Sequence, residues 1–492
     1  MKLTEKLKFY VDKFNSDDYE CYKQDTDNAH AFEWLRENAP LFECPDETIE
    51  EIFYFRLWTL RKHIKTTPDG VMITEFLPSV PWGGTHNTII APTHHHIAEA
   101  KWLRCAQNIL EDYTKLWLEE KSKTYLYSSP FVYALYRYAV HNNDFSFVCN
   151  NLDLMINYYT KTEEEHITNT GLFWSIDNND AMEYSISGTT EELVPQKGIR
   201  PTLNSYMAAN AYAISEIARR AGRKDIAEKF MEKHEDIKAK INEQLWDGEF
   251  YKSLHGDNVE NLPTKNDLTP ERNVRELIGY IPWAYKLAPN GQDKAFIHLN
   301  DEDGFKGKYG LYTAEKRHPR FMYDCEHECL WNGYVWPFAT SQVIDAVISL
   351  LANYEQNTLD SNDLYELIST YAKSHYMTNE DGKRVCWIDE VRHPLTDDWS
   401  SRTILKNWGW LPEKGGFERG KDYNHSTFCN LILEGLLGIK SVDGKVTADP
   451  KVLDKWEYFR VENLWIAGSE YEITYDKNGS HYGEMGLVVT KK

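Results

Sequence analysis

The sequence has no apolar run approaching the ~18 residues of a membrane-spanning helix. Its N-terminus, Met-Lys-Leu-Thr-Glu-Lys-Leu-Lys-Phe-Tyr, lacks the apolar core of a signal peptide. These absences set the expectation of a cytoplasmic protein with no membrane partner. Positive charge is scarce: 77 acidic side chains stand against 55 basic ones, a net charge of −22. Nucleic acids and anionic membranes need a basic surface, so neither is expected as a partner, and a strongly anionic polysaccharide would need a local basic pocket. No low-complexity linker or internal repeat divides the chain. The eight cysteines are scattered without a small-domain framework and read as mostly free thiols in a reducing compartment. Cys325 and Cys329 flank His327, but the spacing is not C-x-x-C and no second ligand pair follows. No metal and no cofactor is therefore expected.

What is present is a globular composition, 41% hydrophobic and 27% charged over 492 residues. Sixteen tryptophans and 31 tyrosines are many; flat rings suit stacking on sugar C–H groups, although most should fill core. Helical periodicity dominates. Between Asp46 and Ile64, Ile49, Ile52, Phe53, Leu57 and Leu60 keep a helical spacing, with Asp46 or Thr48 as cap. Further helices are predicted over 3–14, 93–106, 108–120, 130–142, 145–160, 202–221, 225–245 (capped by Asp225), 274–286, 338–353, 361–377 and 425–438. Residues 71–92 break the pattern as a long loop carrying Trp82, His86 and Asn87, and such loops are commonly functional. Residues 456–490 alternate, and an Asn478-Gly479 turn predicts a hairpin. The reading is all-α, one helical domain over 1–445, with a small β appendage over 446–492. Nothing in the sequence sets the oligomeric state.

Four stretches carry polar and aromatic residues suited to chemistry. Trp387-Ile-Asp389-Glu390 ends four residues before Pro394, which disfavours helix and places the carboxylates on a rigid loop. Trp174-Ser-Ile-Asp177-Asn-Asn-Asp180-Ala-Met-Glu183 holds three carboxylates, and its bland reading is an Asx-rich capping loop. Trp331-Asn332-Gly-Tyr-Val-Trp336-Pro337 precedes a helix and could equally be an aromatic core plug. Lys421-Asp-Tyr-Asn-His425-Ser leads into the last helix, which Asn424 or Ser426 can cap.

Trp331-Asn-Gly-Tyr-Val-Trp-Pro resembles the Trp-Arg-Gly-Pro-Val-Trp stretch of family 63 glycoside hydrolases and their mannosylglycerate hydrolase relatives. Ala-Met-Glu183-Tyr is similar to their Glu-Ser-Gly-Met-Asp-Asn, with Glu183 where the general acid stands. Glu390-Val-Arg-His-Pro394-Leu-Thr is similar to their Glu-x-Tyr-Asn/Asp-Pro-x-Thr-Gly, whose glutamate is the general base. The Trp82-Gly-Gly and His95-His-Ile-x-Glu99 stretches resemble the wider trehalase-like group. The resemblance spans roughly residues 80–440, in order, and implies an (α/α)₆ barrel with an inverting, exo-acting α-glycosidase site. An inverting site needs a protonated carboxyl for the leaving oxygen and a carboxylate to activate water on the opposite face. The resemblance implies Glu183 as acid and Glu390 as base. Asp180 is a rival for the acid or a sugar-binding carboxylate, because Glu183 replaces an aspartate and the preceding Glu-Ser-Gly is missing. Trp82, Asn87, Trp174, Trp331, Asn332, Trp336 and His425 are the expected sugar contacts, and a carbohydrate the expected partner. Asn332 replaces the family's arginine and Asp397 its glycine. The His94–His96 run has no transferable role and is expected to start a helix supporting the mouth of the site.

Two other readings compete. Sugar epimerases of similar architecture use histidines for proton transfer, and His94, His95, His96, His327 and His425 keep that reading open. Deuterium uptake from D₂O without bond cleavage would mark it. Glycan affinity without turnover would mark a non-catalytic carbohydrate-binding protein.

Overall fold

A computed structural model describes residues 2–492. It is rich in helix: α1 (Leu3–Asp17), α2 (Ala31–Asn38), α3 (Glu47–His63), α4 (Thr93–Ala100), α5 (Ala106–Leu118), α6 (Phe131–Asn142), α7 (Ser146–Asn150), α8 (Leu152–His166), α9 (Pro201–Arg220), α10 (Lys224–Gln244), α11 (Ile281–Ala284), α12 (Pro337–Asn353), α13 (Ser361–Ser374) and α14 (Ser400–Asn407). Burial sorts the long helices into two kinds. In α9, Pro201 suits the first turn, and small residues such as Ala208, Ala211 and Ala218 let neighbours approach on nearly every side. Its partner α10 buries Ala227, Phe230, His234, Ile237 and Ile241, a one-sided stripe. The same contrast separates α12, buried on most faces, from α13, which buries Leu364, Ile368, Tyr371 and Ala372 on one face. Helix α3 is buried along almost its whole length and carries Arg56, Arg61 and Lys62 inside. Asp46 caps it, its Oδ1 accepting from the backbone N–H of Thr48 and Ile49 at 3.1 Å each.

Three local expectations change. Residues 274–286 form only a 3₁₀ turn (Leu277–Tyr280) followed by the single turn α11. Glu276 is instead extended and bridges to Ala314, and Gly279 packs against the Phe250 ring where a Cβ would collide. Asp225 lies in the first turn of α10 rather than at its cap, which is Arg223. The last helix opens near Phe428 and runs as a π-helix over Leu431–Leu436. Neither Asn424 nor Ser426 caps it: the Glu99 carboxylate of α4 accepts from the N–H groups of Phe428, Cys429 and Asn430 at 2.8–3.1 Å.

The C-terminal strands Tyr458–Ile466, Ser469–Asp476 and Gly486–Lys491 form an antiparallel sheet, which Leu41–Glu43 joins at its edge. Phe459, Val461, Ile466 and Ile473 merge with Phe42 and Phe53 in the main apolar cluster. The sheet is thus built from both ends of the chain. Its tight turn is Ala467-Gly468, both with positive φ. The Asn478-Gly479 segment instead lies in a longer loop whose backbone N–H groups converge on Asp476.

Candidate active site

Three loops from distant parts of the sequence bring three glutamates together. Glu75 follows the strand Gly70–Ile73, and its carbonyl accepts from Asn424 N at 3.1 Å. Glu183 lies on the loop after Trp174–Ser175. Asp177 staples that loop by accepting from the Ser185 N–H and hydroxyl (both 3.2 Å) and the Thr189 hydroxyl (2.9 Å). Residues on both sides of Glu183, Ala181 (φ 56°) and Tyr184 (φ 60°), take the left-handed conformation, which costs about 1 kcal/mol or more each. Trp331 N donates to the Glu183 carbonyl at 3.1 Å, so the Trp331–Pro337 stretch braces the glutamate through its backbone. Glu390 follows the strand Arg384–Cys386. Asp389 turns back to accept from Glu390 N and the Ser401 hydroxyl, both at 2.7 Å. A Cβ at Gly420 would run into the Asp389 carboxylate, so glycine there permits the close packing.

The three carboxyls have different surroundings. Glu390 is 4% exposed; its Oε2 accepts from the Arg419 guanidinium, and its Oε1 lies 3.4 Å from both the Cys329 thiol and the Tyr423 hydroxyl. Burial pushes its carboxyl up to about 7, with Arg419 opposing the rise. Glu75 is buried, its Oε1 bonded to the Tyr423 hydroxyl and its Oε2 without a partner. Burial pushes it up to about 8, with the Tyr423 hydrogen bond and Arg419 opposing the rise and Glu390 adding to it. Glu183 keeps part of its surface open. Burial, then the charges of Glu390, Asp177 and Glu75, push it up to about 8. Arg419 is 1% exposed and also faces Glu328, which Lys414 pairs at 2.8 Å. The arrangement holds one carboxyl clamped by a cation and two that favour the protonated form, which is what acid–base work at one bond requires.

Of the expected sugar contacts, Trp82 belongs here: it is partly exposed, with Arg419 5.1 Å above its ring and Phe76 edge-on at 5.7 Å. The others have different duties. Asp180 is fully buried, paired with Arg200 Nε at 2.7 Å and accepting from the Ser128 hydroxyl at 2.5 Å, so it has no free oxygen surface for a sugar or a leaving group. Asn87 clasps its own loop, accepting from Val80 N and donating to the Phe76 and Pro78 carbonyls. Trp174 packs between His166 and Lys197. Trp331 and Trp336, each 3% exposed, stack on one another at 4.6 Å, and Trp336 Nε1 donates to the Leu330 carbonyl: they are core. Asn332 is buried and donates to the Tyr323 carbonyl. His425 is 1% exposed and packs behind Tyr423, the rings tilted by 40° with centroids 3.7 Å apart.

The His94–His96 run does start a helix, α4. His96 joins the Tyr113 hydroxyl (2.9 Å) to the Asn424 carbonyl (2.6 Å). Together with Glu99 it pins the segment that carries Tyr423. Burial holds His94, His95, His96 and His425 neutral, and His95 and His425 have no open face for a proton exchange with a sugar. The ligand atoms of His327, Glu328 and Cys329 lie within 4.8 Å of one another. They are already engaged: Glu328 by Lys414, the thiol by Glu390, and His327 Nδ1 by the Cys329 N–H.

Glu75, Arg419 and Tyr423 escaped the reading of the sequence, and Cys329 enters it only as a candidate metal ligand. Thr74-Glu75-Phe76 carries no motif, and Tyr423 sits within a stretch already singled out, two residues from His425. A cavity of 410 Å³ opens elsewhere, between α12, α13 and the hairpin at 306–311; Arg392 and Trp399 line it, but none of the three glutamates does.

A family model described as a mannosylglycerate hydrolase MGH1-like glycoside hydrolase domain matches residues 85–426. A solved structure named "Sialidase" is 33% identical, covering 100% of this chain and 43% of its own, with a TM-score of 0.88. An α-L-rhamnosidase from Dictyoglumus thermophilum is 13% identical, covering 90% and 43% of the two chains at TM-score 0.53. A GH78 family rhamnosidase of Bacillus sp. GL1 is 12% identical, covering 89% and 40% at TM-score 0.56. The rhamnosidases share the fold alone. The chain spans less than half the length of each of these three proteins.

Proposed function

The chain belongs to the mannosylglycerate hydrolase MGH1-like glycoside hydrolase family, and from that membership we propose that it hydrolyses a glycosidic bond with inversion, acting on a terminal sugar. Glu183 is the proton donor and Glu390 the base that activates water. Asp389 and Ser401 fix the Glu390 backbone, and Arg419 fixes its carboxylate. We read the alternation of all-round buried and one-sided helices as the (α/α)₆ toroid, with these loops at one end. The observation that carries the reading is the pairing of a cation-clamped carboxylate with a carboxyl that has no side-chain partner and favours its proton, from loops some two hundred residues apart in sequence.

In the reaction, the Glu183 proton passes to the leaving oxygen as the C–O bond breaks, and Glu390 takes a proton from the attacking water. Trp82 offers an apolar face beside the reacting centre. The test is a panel of 4-nitrophenyl and natural glycosides that includes mannosylglycerate, α-L-rhamnosides and sialosides, with the product anomer followed by NMR. Cleavage with the inverted anomer appearing first supports the reading. Retention, or deuterium exchange without cleavage, counts against it.

A further inference from the structure

Glu75 lies ahead of residues 85–426, where the family model matches, yet it stands beside the proposed base. Tyr423 joins the two. Its hydroxyl bonds Glu75 Oε1 and lies 3.4 Å from Glu390 Oε1. A hydroxyl has one proton, so it can serve only one carboxylate as donor. Glu75 Oε2 is buried without a partner and offers no surface to a sugar. Among the described residues no cation lies within ion-pairing distance of Glu75; Arg419 is placed on Glu390 and Glu328 and opposes the rise of Glu75 only from farther away. The remaining titratable groups around Glu75 are Glu183, Tyr127 and Tyr113, none of them a cation.

We propose that Glu75 works as a neutral carboxylic acid whose proton, donated to the Tyr423 oxygen, turns the tyrosine's own proton toward Glu390. A buried O–H needs an acceptor, and Tyr423 is the polar side chain within reach. Tyr423 then has its hydrogen free for Glu390 Oε1, which favours the ionised base. Were Glu75 ionised, it would capture that hydrogen, and two carboxylates would face one tyrosine proton, with Arg419 paired to Glu390 alone of the two. The tendency of burial to push the Glu75 carboxyl up agrees with this direction. Glu75 is thus a positioning residue acting through Tyr423, and the inference rests on Glu390 being the base.

The test compares Glu75→Gln, Glu75→Leu, Tyr423→Phe and the Glu75→Leu/Tyr423→Phe double variant on the 4-nitrophenyl glycoside that the panel identifies, with melting curves alongside. Glutamine keeps a neutral donor to Tyr423, so kcat should stay within roughly threefold of the parent and the acid limb of the kcat/KM profile should not move. Tyr423→Phe removes the hydrogen bond to Glu390, whereas Glu75→Leu removes only the donor that orients the tyrosine and leaves its hydroxyl free to donate to Glu390. Tyr423→Phe should lower kcat by about tenfold, move the acid limb to higher pH and leave KM in place. Glu75→Leu should do less than this, and the double variant should be no worse than Tyr423→Phe alone. A Glu75→Gln loss of a hundredfold or more would show that an ionised Glu75 is needed and overturn the proposal, as would additive losses in the double variant. Should the Glu75 variants not fold, Tyr423→Phe decides alone: an unmoved acid limb overturns the proposal. An active Glu390→Gln variant would overturn both this proposal and the base assignment beneath it. An inactive Glu390→Gln beside an inactive Glu75→Gln sinks the Glu75 proposal only.

Discussion

At the scale of single residues, the proposed reaction turns on which carboxyls hold a proton. Glu390 must be ionised to act and is pushed up to about 7; Glu183 must be protonated and is pushed up to about 8. Activity should therefore rise with pH through about 7 and fall above about 8, a bell whose limbs belong to the coupled set rather than to one group. Glu390→Gln should leave the protein folded and cut kcat by at least about 10²-fold; unchanged turnover would remove Glu390 from the mechanism and turn attention to Asp389. Much of this pair was legible in the sequence because the motif stretches keep their order and carry both glutamates. The roles of their neighbours were not. Asp180 and Asn87 look like sugar ligands in a string of letters, yet Arg200 and a loop backbone claim them. Glu75 shows no pattern at all, since its partners Tyr423 and Glu390 are more than three hundred residues away.

At the scale of elements, the aromatic stretch before α12 is a brace. Trp336 is 3% exposed and stacked on Trp331. Trp336→Ala should lower stability by about 3–5 kcal/mol, while the folded fraction keeps its KM. A raised KM at unchanged stability would return Trp336 to the sugar. Helix α4 works in a similar way. Glu99 receives three backbone N–H groups from the start of the last helix, so Glu99→Gln should cost on the order of 2 kcal/mol in denaturant titrations. It should also lower kcat, because the same segment carries Tyr423. The helix periodicity was readable, but the cap was not: a capping carboxylate from α4 leaves no local signature in residues 424–430. Likewise, the apolar run at 274–286 reads as helix until the packing of Gly279 on Phe250 keeps it short.

At the scale of the whole molecule, buried acids and buried histidines pull the response to pH in opposite directions. Glu75, Glu183 and Glu390 bind protons more tightly folded than unfolded. Their contribution is complete below the unfolded carboxylate pKa of about 4.5 and is lost as pH rises through about 7 to 8. Glu75 alone corresponds to on the order of a few kcal/mol over that span. Asp18 and Asp422, held ionised between Lys62 and Lys421, oppose this at the acid end, where their stabilisation is lost as pH falls. Buried histidines held neutral, such as His94, His95, His96 and His425, lose stability as pH falls through about 6.5. Above that pH the acids act unopposed by them, so the melting temperature should fall from about pH 6.5 to pH 8, and Glu75→Gln should flatten that slope. An equal slope in the variant would mean that Glu75 is ionised throughout.

The most direct measurement of the central claim is the leaving-group dependence of Glu183→Gln. A proton donor matters most when the leaving group is poor. The variant should lose far more activity on a natural glycoside than on a glycosyl fluoride or dinitrophenyl glycoside, whereas Glu390→Gln should lose comparably on both. Equal losses for Glu183→Gln on good and poor leaving groups would contradict its assignment as the acid, and with it the account of the site.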